Sequence, residues 1–390
     1  MKILWVGDAG LHSGFATVTH SVLASLHERH EVHVCGVNYR GDPHGYPYPI
    51  YRADLRGDTW GVNRFDELCY KIQPDIVCIN NDAWNVVRFL TSPRPIPIVA
   101  YIPVDGEGMP RETAAYLNRL TCAIWYTEFG QRVAESAGFA GKSEIIPHGV
   151  DTVRYRPIDK QEARQAMGLP EHIASGFIVG NVNRNQLRKR LDISIHAFAL
   201  AVKEYKLENA WLYLHAASRD EGGDLGKIAE YYGIADRVMR PDGKDSFTGV
   251  DYEAMPYIYS SFDVQISSSM GEGWGLTTME GMACGVPQIV PMHSALAEWP
   301  DFHVRYIEAK DDFVMPYGVN MVCKVPSTNE LAKAIHTAGS CPESLCIVSR
   351  RRVTQPQFRW SNISARFEQV FQDAIDATQN VRKETALQTV

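Results

Sequence analysis

The feature that most limits what this chain can fold into is a rhythm. Short apolar runs at Ile3–Val6, Glu31–Cys35, Asp75–Ile79 and Ile96–Ile102 alternate with stretches of helical periodicity such as Phe15–His27 and Asn63–Ile72. Runs this short and this apolar fit strands buried on both faces. Strand and helix in strict alternation build βαβ units and a parallel sheet. The pattern continues through Thr113–Ala137, helical around a strand-like Ala123–Tyr126, into IIPHGVDTVRYRPID (145–159), where a strand, a glycine turn and two prolines mark a domain boundary. A second series opens at Gly176. Its strands are Phe177–Val182, Trp211–His215, Arg237–Arg240, Val264–Ser267 and Pro287–Val290; its helices are Asp192–Tyr205, Ile228–Tyr232, Tyr252–Ser261 and about Thr277–Cys284. An amphipathic helix over Ser361–Ala377 ends the pattern. The expected fold is α/β, with two doubly wound Rossmann-like domains facing a cleft. The expected bounds are 1–153 for an N-terminal Rossmann-like domain, 154–360 for a C-terminal Rossmann-like domain, and 361–390 for a C-terminal helix crossing back toward the first. In such sheets ligands bind beyond the carboxyl ends of the strands.

A length of 390 residues suits two hydrophobic cores. The formal net charge of −7 argues against a general polyanion-binding field, though not against a local basic site. Eight cysteines (35, 69, 78, 122, 284, 323, 341, 346) form no CxxC pair and read as reduced intracellular thiols. The opening MKILWVGDAG is too short in apolar residues for a signal peptide, and no run approaches the roughly 18 apolar residues of a membrane span. A cytoplasmic protein without stable membrane insertion is expected.

Four loops could carry chemistry. In SSSMGEGWGLTTMEGMACGVPQIVP (267–291), three glycines strip the loop Gly271–Gly275 of side chains, so its backbone can approach a ligand. A helix follows, whose unpaired N–H groups make an anion site. Glu272 and Glu280 flank that loop, and a carboxylate can accept both protons of a vicinal diol on a sugar or ribose. The same residues also fit a tight turn and a glutamate placed for the helix dipole. In GNVNRNQLRKRLD (180–192), Arg184, Arg188, Lys189 and Arg190 crowd between a strand and a helix; Arg184 can fork onto a phosphate and Lys189 can add a point charge, or the group is a solvated helix start. In DAGLHSGFATVTHSV (8–22), Gly10, Ser13 and Gly14 lie in a phosphate-ready turn that lacks the third glycine of a dinucleotide fingerprint. Asp105 follows the strand of IVAYIPVDGEG and is equally a turn residue. No D-x-D, HExxH, GxSxG or GxxxxGK[ST] occurs, and His12, His148, His215 and His293 are isolated, so neither metal nor cofactor is expected.

Together these stretches resemble the retaining GT-B glycosyltransferases, specifically glycosyltransferase family 4 (glycosyl transferases group 1). The E-x7-E pair Glu272…Glu280 is similar to the family signature, Arg184…Lys189 to its diphosphate-binding R-x4-K, IPHGVDT to its interdomain crossover, and Gly14 to its N-terminal glycine loop. YIYSSFDVQISSS and ELAKAI fit the same layout. The resemblance implies a metal-independent retaining transferase that moves a sugar from a nucleotide-diphosphate sugar to an acceptor. Arg184 and Lys189 would stabilise the leaving diphosphate. Glu280 would bind the ribose. Glu272 would contact the transferred sugar, with Gly273, Trp274, Gly275, Leu276 and Thr277 beside the donor. Many members of that family carry a histidine near the end of the fourth strand; here that stretch is Ala-Tyr-Ile-Pro-Val-Asp-Gly, with Tyr101 or Asp105 as stand-ins. Two other readings fit the residues: a glycoside hydrolase using Glu272 and Glu280, and a nucleotide-sugar-binding protein without turnover. The acceptor is open among glycan, protein, small molecule and nucleic acid base. The Tyr-, Pro- and His-rich Tyr39–Trp60 reads as a long loop that is either an acceptor surface or structural packing.

Overall fold

A computed structural model describes residues 1–10, 13–241, 250–299, 304–316, 321–338 and 350–388. His12, Cys341 and Cys346 lie outside them. Contacts divide the chain into two compact units: Met1–Gly149 with Trp360–Val390, and Val150–Arg359.

The first unit is built on a seven-stranded sheet in the order β3-β2-β1-β4-β5-β6-β7. The strands are β1 (Lys2–Asp8), β2 (Glu31–Val37), β3 (Ile50–Arg52), β4 (Ile76–Asn80), β5 (Ile98–Ile102), β6 (Cys122–Trp125) and β7 (Ser143–Ile145). Every neighbouring pair is parallel, with Val6 of β1 opposite Cys35 on one side and Ile79 on the other. Helices α1 (Gly14–Leu26), α2 (Val62–Ile72), α3 (Ala83–Phe89), α4 (Arg111–Leu117) and α5 (Glu128–Ser136) connect them. Ile3, Leu4, Trp5 and Val6 have no exposed surface, which is why the strand reads as an unbroken apolar run. Ser13 caps α1 by accepting the Ala16 N–H at 3.1 Å. Ala16, Thr19, Leu23 and Leu26 then bury one stripe of the helix. The C-terminal helix Trp360–Gln388 belongs to this unit: the Ser364 hydroxyl donates to the Val22 carbonyl at 2.9 Å, and the Phe367 ring packs 5.8 Å from Trp5. Burying such an aromatic contributes on the order of 2–3 kcal/mol, so this helix completes the first core.

The second unit has a six-stranded parallel sheet in the order β12-β9-β8-β13-β14-β15. In chain order it comprises α6 (Lys160–Ala166), α7 (Glu171–Ala174), β8 (Phe177–Val182), α8 (Leu191–Lys203), β9 (Ala210–His215), the small hairpin β10 (Arg219–Asp220) and β11 (Gly223–Asp224), α9 (Leu225–Tyr231), β12 (Val238–Met239), α10 (Met255–Ser260), β13 (Val264–Ile266), α11 (Leu276–Ala283), β14 (Gln288–Pro291), β15 (Arg305–Ile307), the antiparallel pair β16 (Ala309–Val314) and β17 (Val322–Pro326), and α12 (Thr328–Ala338). Its core joins Phe198 and Ile195 of α8 to Leu212, Val264 and Ile335.

In both sheets the strand order reverses once near the middle, between β1 and β4 and between β8 and β13. Loops leaving those strands diverge to opposite faces, and the gap between them is where α/β sheets receive ligands. Strand-sized elements carried by neighbours rather than by their own pattern, such as three-residue β3 and the β16–β17 pair, have no clear sequence signal. No helix among the described residues is long and apolar enough to cross a membrane. The six described cysteines are buried thiols.

Candidate functional site

At the reversal point of the second unit, two loops are stitched together by polar side chains that have no exposed surface. Asn181 at the end of β8 donates to the Ser194 hydroxyl at 2.9 Å, and Ser194 meets Ser268 at 2.7 Å. Ser268 in turn donates to the Lys189 carbonyl at 2.9 Å, and the Met270 amide to the Arg188 carbonyl at 2.9 Å. Each contact satisfies a group whose burial would otherwise cost about 1–3 kcal/mol, so the loops are fixed against one another.

That stitching brings cations onto a carboxylate. Lys189 Nζ lies 2.5 Å and 2.7 Å from the two oxygens of Glu272, and Arg188 donates to Glu272 at 3.2 Å and to the Gly271 carbonyl. Glu272 is almost wholly buried. Burial pushes its carboxyl toward the neutral form, but Lys189 and Arg188 more than offset this and hold the pKa at about 2. Two cations thus meet on one carboxylate in a partly desolvated spot. Such a spot suits a polyanion.

Beside it stands the start of α11. Gly275, its N-cap, has φ +95°, and a β-carbon there would lie 2.6 Å from Leu296 Cδ2. Both facts require glycine. Trp274 is buried against Trp299 at 5.3 Å and donates its indole N–H to Met279 Sδ at 3.4 Å, so it acts as a wedge under the loop. Gly273 is buried, while Leu276 and Thr277 are half-buried in the first turn. Further along the same helix, Glu280 accepts the Tyr259 hydroxyl at 2.7 Å and is also bonded by Tyr155. Burial raises its pKa to about 7, against the pull of those two hydroxyls and the charge of Arg154. The two glutamates are thus driven apart: one is a locked anion, the other a carboxyl poised near neutrality.

The structure separates residues that the sequence pairs. Arg184 is half exposed and forks onto Asp220 at 2.8 Å and 3.2 Å, with Glu221 at 3.2 Å, on the β10–β11 hairpin. The cation beside Lys189 is Arg188, which the R-x4-K spacing passes over although it sits in the same basic run. Arg190 is held by Asp192 at 2.8 Å. The tyrosines that seat Glu280 also carry no motif signal, because they come from distant segments.

In the first unit, Gly14 opens α1 with nothing within 4 Å of where a β-carbon would stand. Gly10 is the glycine that packing demands, since its β-carbon would meet the Asn38 carbonyl at 2.4 Å. Asp105 is half-buried, three residues past β5. Tyr101 has no exposed surface: its hydroxyl donates to the Ile146 carbonyl at 2.8 Å and contacts His148 Nδ1 at 2.7 Å. As a core residue with its hydroxyl engaged, Tyr101 is not placed to meet a sugar, which corrects that expectation. His148 is buried beside it, and burial lowers its pKa to about 3. Among the described residues no three His, Cys, Asp or Glu side chains are grouped to hold a metal ion.

Comparison with known proteins adds an independent view. Residues 176–337 match the family model described as "Glycosyl transferases group 1". A D-inositol 3-phosphate glycosyltransferase 2 of Catenulispora acidiphila is 27% identical over 157 residues, which is 40% of this chain and 36% of that protein. The chain therefore spans well under half the length of this curated relative. Among solved structures, sucrose-phosphate synthase from Thermosynechococcus elongatus superposes with a TM-score of 0.75 at 19% identity, covering 97% of this chain and 100% of that one. HepE of Anabaena, in complex with UDP and glucose, gives 0.72 at 17% identity, covering 96% and 100%. The chain has the GT-B fold of two Rossmann-like domains, and its residues 176–337, which carry the Lys189–Glu272 cluster and Glu280, match the glycosyl transferases group 1 family.

Proposed function

We propose that this protein is a retaining, metal-independent glycosyltransferase that moves a sugar from a nucleotide-diphosphate sugar to an acceptor. The observation that carries the reading is the Lys189–Arg188–Glu272 cluster beside the N-terminus of α11. On donor binding, the diphosphate exchanges with Glu272 for the ammonium of Lys189 and the guanidinium of Arg188, while the first N–H groups of α11 take a phosphate oxygen. As the bond from the sugar to the diphosphate breaks, negative charge grows on the leaving oxygen. Fixed cations there do the work a metal does elsewhere. Glu272, released from Lys189, turns its acceptor oxygens to the sugar's hydroxyls. Glu280 receives the ribose diol in exchange for the tyrosine hydroxyls. Arg184 joins the phosphates when it leaves Asp220. Retention rests on the family resemblance, and Asp105 is the acidic residue proposed to serve the reaction from the first unit.

HepE, solved with UDP and glucose, supports UDP-glucose as the first donor to try. The names of the inositol 3-phosphate and sucrose-phosphate relatives point to sugar-like acceptors. Glycoside hydrolysis is disfavoured because it accounts for the two glutamates but gives the cations Lys189 and Arg188 no role. The test is a thermal-shift series with UDP, GDP, ADP, TDP and CDP and their hexose conjugates, without added metal. One nucleotide family should raise the melting temperature. No shift with any of them would remove the diphosphate site.

A further inference from the structure

Two tryptophans of the first unit stay out of its core. Trp60 lies in the loop leaving β3, and Trp84 in the first turn of α3, the helix that follows β4. Both segments leave the carboxyl ends of parallel strands, the side on which such sheets receive ligands. The two rings meet at 5.3 Å with their planes at 85°, so they form a corner. Trp84 is 38% exposed, and Trp60 is half-buried.

Polar side chains hold the corner in place. Left-handed backbone at Arg56 and Gly57 closes a turn in which Leu55 and Asp58 exchange amide-to-carbonyl bonds of 2.9 Å and 3.1 Å. Asp58, buried behind that turn, accepts the Trp60 amide at 3.3 Å, the Asn63 amide at 3.0 Å and Arg88 Nη2 at 3.0 Å. Arg88 Nη1 donates to Asn85 Oδ1 at 3.2 Å, and Asn85 follows Trp84 in α3. One carboxylate therefore ties the loop of Trp60 to the helix of Trp84, and little ordering is left for a ligand to impose.

The cluster offers donors. Among the described residues neither indole N–H has a hydrogen-bond partner, Arg88 keeps its Nε–H uncommitted, and Asn85 Nδ2 is buried without a partner. The charge of Arg88 is cancelled by Asp58 at 3.0 Å, so these donors come without a field that selects an anion. Uncharged oxygens that accept such bonds are those of hydroxyls. A pyranose supplies them around its rim, and its weakly positive C–H face complements an indole π cloud. Arg56, at the exposed tip of the turn, is the cation that would instead favour a phosphate.

We infer that the Trp60–Trp84 corner, with Arg88, binds a neutral sugar ring. Its role as the acceptor's seat rests on the transferase reading above; the binding itself does not. The test is saturation-transfer NMR on the full chain, without nucleotide, with the methyl glycosides of glucose, mannose and galactose and with glucose 6-phosphate and mannose 6-phosphate. At least one neutral glycoside should take up saturation, and the phosphates should bind no more tightly. Trp84→Ala removes an exposed ring and should lower the signal at least fivefold. Trp84→Phe keeps an apolar face without the N–H and should lower it about two- to threefold. Should Trp84→Ala melt below the assay temperature, Trp84→Phe decides. No saturation of any glycoside, an unchanged signal in the variants, or a tenfold preference for a phosphate would each overturn the inference. A Trp84-dependent signal in a protein that ignores every nucleotide would remove the transferase reading and leave the sugar site standing; nucleotide shifts without that signal would do the reverse.

Discussion

The two sheets reverse their strand order in the same way, yet the chemistry at the two reversal points is opposite. After β8 and β13 the loops cross-pair charges: Lys189 and Arg188 meet Glu272 beside a bare helix start. After β1, a strand of the first reversal, a carboxylate is already seated at the helix start by neutral donors, and Tyr46 is stacked on His20 of that helix. One architecture therefore holds a cation–carboxylate cluster at one helix start and a carboxylate seated by neutral donors at the other. Topology places ligands; the side chains at that place decide which ligand.

Lys189→Ala attacks the charged half most directly. With its ammonium gone, turnover should fall about 10²–10³-fold, the scale of losing one electrostatic donor at a leaving group. The buried Glu272 then keeps Arg188 and the Ser269 hydroxyl but loses its nearest cation, and stability should drop by on the order of 3 kcal/mol. Tyr46→Ala, by contrast, should leave donor hydrolysis unchanged. If stopped-flow or end-point assays show Lys189→Ala turning over at the wild-type rate, the contrast between the two units has no catalytic meaning.

The second prediction contrasts the two glutamates. Folded Glu280 keeps its proton up to about pH 7, whereas an unfolded carboxyl loses it near 4.5. The folded state thus holds more protons in that window, and the stability tied to this group is lost as pH rises from 4.5 through 7, by on the order of 3 kcal/mol. Glu272 runs the other way: its folded pKa of about 2 means stability is lost as pH falls from 4.5 toward 2. Buried His20, His148 and His215, each lowered by burial, add stability with rising pH below 6.5 and would mask Glu280 in the wild-type curve alone. The measurement is therefore the difference between wild type and Glu280→Gln in melting temperature from pH 4.5 to 8. The variant should gain on the wild type as pH rises, while binding the nucleotide about tenfold more weakly. A flat difference would mean that Glu280 ionises normally.

Much of this was legible in sequence, for physical reasons. The strands of both sheets are buried on two faces, so their apolar runs stand out; Ile3–Val6 lies within β1, and Phe177–Val182 matches β8 residue for residue. Glu272, Gly275 and Glu280 were visible because a glycine-only loop before a helix leaves a spacing signature. What was not legible depends on contacts between distant segments. Nothing local says that Arg184 turns to Asp220 while Arg188 takes the place beside Lys189, or that Tyr155 and Tyr259 converge on Glu280. The stack of Tyr46 on His20 likewise joins a loop to a helix 26 positions away.

The glycines sharpen the comparison at smaller scale. Gly275→Ala forces a side chain into left-handed backbone and onto Leu296, and should cost about 1–3 kcal/mol in a denaturant melt. Gly14→Ala meets open space in the first turn of α1 and should leave stability the same or raise it by up to about 1 kcal/mol. If Gly14→Ala weakens binding of any ligand without lowering stability, that glycine serves the ligand; if it does neither, its open side is incidental.

The smallest effect concerns Arg184. Its fork onto Asp220 and Glu221 is half exposed, so breaking it should change stability by no more than about 0.5 kcal/mol. The same fork competes with any phosphate, because a guanidinium that is bidentate to one carboxylate has its best donors already committed. Asp220→Asn with Glu221→Gln removes that competition while keeping the side chains' shapes. Nucleotide affinity measured by calorimetry should then rise two- to fivefold, and the gain should vanish in a triple variant that also carries Arg184→Ala. A gain that survives the loss of Arg184 would reflect only the hairpin's general negative charge. No gain at all would leave Arg184 a surface residue, and the charged half of the molecule would reduce to Arg188, Lys189 and the start of α11.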